Sequence, residues 1–126
     1  MKVLIVESRP ELGQIWKNHL ERQGMDVTRV TGQRDAISHL STEPLDVIIL
    51  DLVLTQGSAL AVADYASYRQ PDAQVIFVTN TSFFSDGSIF SFSPNACALV
   101  QTSTPPEDLA AMVEHYAQTA AHSGAA

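Results

Sequence analysis

Residues 46–60 read DVIILDLVLTQGSAL. Four bulky apolar residues, Val47 to Leu50, stand between Asp46 and Asp51. A run this short, rich in Ile and Val, reads as a strand buried on both faces, which is the habit of parallel sheets. Working outward, similar runs recur at Val3–Val6, more weakly at Met25–Val30, and again at Val75–Val78 and Ala98–Val100. The segments between them carry helical spacing. Leu12, Ile15, Trp16, His19 and Leu20 fall on one stripe of a helix from about Pro10 to Gln23, with Gly24 placed to end it. Ala36, Ile37 and Leu40 mark a second helix that stops before Pro44. Leu60, Ala63, Tyr65 and Ala66 mark a third, ending before Pro71. Thr104-Pro105-Pro106-Glu107 reads as a capping box, with Thr104 at the cap and Pro105 in the first helical position, ahead of Leu109, Met112, Val113 and Tyr116. The stretch from Thr79 to Asn95 is rich in Ser and Phe, contains Gly87 and Pro94, and shows no helical period, so its helix is expected to be short or distorted.

Strand and helix thus alternate five times. Right-handed crossovers turn that alternation into a doubly wound α/β fold, a parallel sheet of expected order 2-1-3-4-5 between two helical layers. Residues 1–121 are expected to form one domain and 122–126 a frayed tail. The chain has 126 residues, 45% of them hydrophobic and 17% charged, which fits a single folded domain and argues against disorder. A lone cysteine, Cys97, excludes an internal disulfide and fits a reducing, cytoplasmic setting. The net charge of −7 disfavours nucleic acid as a partner. Apolar runs fall far short of the ~20 residues of a membrane span.

In such folds ligands and chemistry gather where strands end, at the switch in strand order. The first strand ends in Glu7-Ser8, the third in Asp51, the fourth in Thr79 and the fifth near Thr102. With that strand order Glu7 and Asp51 converge on one pocket. Two carboxylates beside a hydroxyl suit a hard divalent cation, and an aspartate there suits aspartyl-phosphate chemistry. The plain alternative is that Asp51 only caps the turn after its strand.

The layout resembles the receiver domain of two-component response regulators over residues 1 to about 120. VLIVESRPEL resembles that family's acidic opening, DVIILDLVLTQGSAL the segment around its phosphorylated aspartate, VIFVTN the strand ending in its switch hydroxyl, and ALVQTSTPPEDL its last strand and final helix entry. The separations agree: 44 residues from Glu7 to Asp51, 28 to Thr79 and 23 more to Thr102. The resemblance implies a flavodoxin-like (βα)5 fold, Asp51 as the phospho-acceptor, Thr79 as the switch hydroxyl, and magnesium held in part by Glu7 and Asp51. It also implies a histidine kinase or other signalling protein as partner, in a phosphorelay, with no enzyme activity of its own.

Several positions depart from the family pattern. The second acid of the opening pair is Ser8, which leaves Glu7 and Asp51 as a weak magnesium site. The lysine position is Thr102, with Ser103 where a proline follows, and the aromatic switch position is Leu99. Thr55 and Ala59 stand at the Pro and Gly positions after the aspartate. The expectation is a stand-alone, atypical receiver that works through protein contacts, with magnesium-dependent phosphorylation impaired or absent. Arg9 is read as a solvated first-turn residue; the alternative is a cation that swings in beside Asp51.

The remaining candidates are plain. His19, His39, His115 and His122 are scattered, and Cys97, just before the fifth strand, has no implied base and reads as a small buried residue. Phe83, Phe84, Phe90 and Phe92 are either core anchors or an apolar face, shared with the fifth strand and last helix, for a partner or a second copy. A flavodoxin-like cofactor module is the competing function. It would need a Gly/Ser/Thr-rich phosphate cradle where Glu7-Ser8-Arg9-Pro10 stands. A hydrolase would need a nucleophile–base pair that no spacing signals.

Overall fold

A computed structural model describes residues 1–80 and 94–125, with side chains to residue 118. Its elements run β1 (Lys2–Val6), α1 (Pro10–Arg22), β2 (Asp26–Val30), α2 (Gln33–Thr42), β3 (Val47–Asp51), α3 (Ala59–Arg69), β4 (Gln74–Thr79), β5 (Ala96–Gln101) and α4 (Pro106–Ala125). The strands form one parallel sheet of order β2-β1-β3-β4-β5, as the sequence implies. The poorly helical Thr79–Asn95 stretch and its four phenylalanines lie, apart from the stretch's ends, outside the described residues.

Strand alternation divides the core. Val3, Ile5, Val47, Ile49, Ile76 and Val78 face one layer, where Trp16 and Leu20 of α1 meet Leu109, Val113 and Ala117 of α4. Leu4, Val6, Ile48, Leu50, Val75 and Phe77 face the other, against Ala36 and Leu40 of α2 and Val62, Ala63 and Ala66 of α3. The central strand β3 is buried along its whole length, because both faces are covered by helices.

Four sequence readings shift in detail. Ile15 and Leu60, assigned to inward stripes, are 45% and 43% exposed. The inward face of α1 runs through Gly13, Trp16 and Leu20, and that of α3 through Ala59, Val62, Ala63 and Ala66, which turns Ile15 and Leu60 outward. The last helix begins one residue later than the capping-box reading. The Leu109 N–H donates to the Pro105 carbonyl, so Pro105 takes the cap place and Pro106 the first helical position. Cys97 lies inside β5: Val75 pairs with Ala96 and Ile76 with Ala98, leaving Cys97 as the extra residue of a bulge. Burial pushes its thiol up to about 12, in keeping with a packing residue.

Candidate functional site

The register sets the site. Val6 pairs with Leu50, and Asp51 with Val78, so the residues that follow β1 and end β3 and β4 emerge side by side at one edge of the sheet. Glu7 is fully buried, Asp51 is 2% exposed and Thr79 is 1% exposed. The Thr79 carbonyl accepts the Thr102 N–H at 2.9 Å, which ties the end of β5 to that of β4. Glu7, Ser8, Arg9, Asp51, Val53, Thr55 and Asn80 line a small cleft of about 170 Å³. Thr102 lines a neighbouring cleft with Ser103, Pro10 and Leu12, and Arg9 belongs to both walls. The fold therefore brings Glu7 and Asp51 together, sets Thr79 on the adjoining strand, and puts Thr102 across Arg9 in the next cleft.

Arg9 organises the pocket. Its Nη2 donates to Asp51 Oδ2 at 3.0 Å and its Nε to Glu7 Oε1 at 3.2 Å. Its backbone N–H also donates to Glu7 Oε1, at 2.9 Å. One planar fork thus spans both acids, a geometry that the point charge of a lysine does not match. Pro10, first residue of α1, fixes the backbone just past Arg9 and so directs its stem across the pocket. The second oxygen of Asp51, Oδ1, accepts the Val53 N–H at 2.8 Å. The reading of Arg9 as a solvated residue is thereby corrected: its side chain is 49% exposed, yet its guanidinium is paired with both buried acids. The available signal was a basic residue two places after Glu7 in a turn that lacks its second acid.

The electrostatics follow from burial. Loss of water around Glu7, with the Asp51 carboxylate beside it, pushes the Glu7 carboxyl up to about 7 although Arg9 pulls the other way. Arg9 is pushed above its ordinary value, chiefly by its hydrogen bond to Glu7, and stays cationic. Among the described residues Glu7 Oε2 is buried with no hydrogen-bond partner.

Ser8 has a different task from an acid. Its Oγ donates to the Thr31 carbonyl at 2.8 Å and accepts the Thr55 N–H at 3.0 Å. It ties together the loops after β2 and β3, and as a neutral hydroxyl it brings no charge to a metal. Magnesium needs a near-octahedral set of oxygens and sheds water reluctantly. Here the facing edges of both carboxylates are taken by a guanidinium, and the position of the second acid is spent on loop contacts. Among the described residues no three Asp, Glu, His or Cys side chains come together as a metal group. The arrangement does not fit a magnesium ion.

No helix among the described residues is long and apolar enough to cross a membrane. Comparison with known proteins identifies the fold and the family. The profile of the response regulator receiver domain matches residues 3–114. Response regulator protein PilR of Pseudomonas aeruginosa is 30% identical over 78 residues, which are 62% of this chain and 18% of PilR. The chain thus spans about a fifth of that relative's length. Among solved structures, a CheY-like receiver domain from Methanospirillum hungatei superposes with a TM-score of 0.88 at 20% identity, covering 97% of both chains. A signal receiver domain from Vibrio parahaemolyticus does so with a TM-score of 0.87 at 23% identity, over 98% of this chain and 94% of the other. At these identities the superpositions speak for the fold. The profile match over most of the chain sets aside the cofactor-module alternative, and the chain belongs to the response regulator receiver domain family, a family of signalling modules of two-component systems.

Proposed function

We propose that this chain is an atypical receiver that signals through protein contacts, with Asp51 as its candidate phospho-acceptor and with magnesium-dependent phosphorylation impaired or absent. The observation that carries this reading is the Arg9 fork. Asp51 Oδ2, the oxygen facing the cleft, already accepts from Arg9 Nη2 at 3.0 Å, and Oδ1 accepts from the Val53 backbone. For phosphoryl transfer an Asp51 oxygen must attack phosphorus while the bond from phosphorus to the donor breaks. A carboxylate oxygen held in a charge-assisted hydrogen bond gives up part of its nucleophilic charge. In this reading the partner is a histidine kinase or another signalling protein, and its docking, rather than a bound metal, decides the state of the module. The loss of the family's lysine and aromatic positions, Thr102 and Leu99, supports a readout that does not run through those side chains.

The test is intact mass after incubation with acetyl phosphate, with and without magnesium, beside Asp51→Asn. The expected result is no phosphoryl adduct, or a minor one whose yield magnesium does not raise. A stoichiometric adduct that needs both magnesium and Asp51 would overturn the reading.

A further inference from the structure

We infer that Arg9 is a tethered counter-cation that takes the place of a divalent metal ion between Glu7 and Asp51 and keeps such ions out. The inference rests on Glu7 and Asp51 being the receiver's acidic pair, and it deepens that reading by naming the residue that closes the site.

Two carboxylates at 0% and 2% exposure, side by side at strand ends, are an arrangement that demands a cation. In this chain the cation is covalent. Arg9 Nε and Nη2 reach Glu7 Oε1 and Asp51 Oδ2 with one rigid fork, while the Arg9 N–H fastens the backbone to the same Glu7 oxygen. A tethered group has a high effective concentration at its site, so a soluble ion must displace it against that advantage. The pocket is not saturated, however. Glu7 Oε2 is wholly buried and has no hydrogen-bond partner among the described residues, and Glu7 lines the same cleft as Asp51. A buried carboxyl oxygen left without a donor is held by a proton or by a cation, and removing the guanidinium leaves both acids to such an ion. Arg9 also lines both this cleft and the one beside Thr102. Its side chain is 49% exposed and belongs to neither core layer, so replacing it leaves the core packing in place.

The probe is manganese(II) alone, followed through the loss of the free-ion electron paramagnetic resonance signal, on the wild-type chain, Arg9→Gln, Arg9→Lys and Arg9→Gln/Asp51→Asn. Thermal melting reports folding of each. Wild type is expected to show no saturable binding, and Arg9→Gln a single site at least ~10-fold tighter, lost again in the double variant. Arg9→Lys keeps a charge that spans only one acid, and is expected to bind more weakly than Arg9→Gln but more tightly than wild type. Saturable binding by wild type as tight as by Arg9→Gln would overturn the inference, and so would a folded Arg9→Gln that binds no better than wild type. If Arg9→Gln does not fold, Arg9→Lys decides: binding no tighter than wild type overturns the inference. No phosphodonor is present, so the outcome is separate from that of the acetyl phosphate test. Tight manganese binding by a wild-type chain that acetyl phosphate does not label would overturn the role of Arg9 and leave the proposed function standing.

Discussion

Glu7 carries opposed demands in one side chain: Oε1 accepts twice from Arg9, while Oε2 is buried without a hydrogen-bond partner among the described residues. Burial wins, and its carboxyl titrates near 7 in the folded chain against an ordinary 4.5. Between those values the folded state holds a proton that the unfolded chain releases. Folding stability is therefore greatest toward the acid end of that window and falls as pH rises through 7, by at most ~3 kcal/mol. Urea denaturation at steps from pH 5 to 8 is expected to show the fall, and Glu7→Gln to flatten it. A rise in stability over the same range would contradict the raised value. At this scale the sequence was partly legible. Glu7, Asp51 and Thr79 could be placed because they are the polar residues that end apolar runs. Arg9 could not, because whether a long flexible side chain folds inward depends on a pocket that its neighbours create. Its weight comes from two acceptors, one just past β1 and one at the end of β3, 2 and 42 residues away.

At the scale of elements, the loop after β3 is held from two sides. Ser8 receives the Thr55 N–H, and the loop's next residues are clasped by α2. The Gln33 N–H donates to the Gln56 carbonyl at 3.1 Å, and Gln33 Oε1 accepts the Ser58 N–H at 2.8 Å. Gly57 makes the clasp possible: its φ is +90°, and a Cβ there would lie 2.3 Å from Gln33 Cβ. Gly57→Ala is expected to destabilise the chain by ~1–3 kcal/mol in urea denaturation, from backbone strain together with the clash. Adding Gln33→Ala keeps the Cβ at that position and should recover little of the loss. A neutral Gly57→Ala would show that the clasp is loose. The sequence disclosed the elements well, since strand runs and helical stripes are local patterns. It misplaced Ile15, Leu60 and Cys97, because which residues of a helix face inward, and where a strand bulges, are set by neighbouring elements. The clasp itself joins residues 25 apart through one glutamine, with no motif to announce it.

For the whole molecule, fold and chemistry rest on different residues. The sheet order and two-sided core rest on 29 buried apolar positions among the described residues, none of them a residue of the candidate site. That is why the receiver architecture was readable from the alternation of elements, and why it says little about how this member works. In the function proposed above, its character lies at one edge of the sheet, where Arg9 pairs with Glu7 and Asp51, Ser8 ties two loops, and Thr102 stands at the family's lysine position. The central claim is thus that the acidic pocket is served by Arg9. Its most direct measurement is nitrogen-15 NMR of the Arg9 side chain. The account predicts a resolved Nε–H resonance, protected from solvent exchange, that is lost in Asp51→Asn/Glu7→Gln and unmoved by added magnesium. An Arg9 Nε–H that exchanges as fast as those of exposed arginines in the wild-type chain would contradict it.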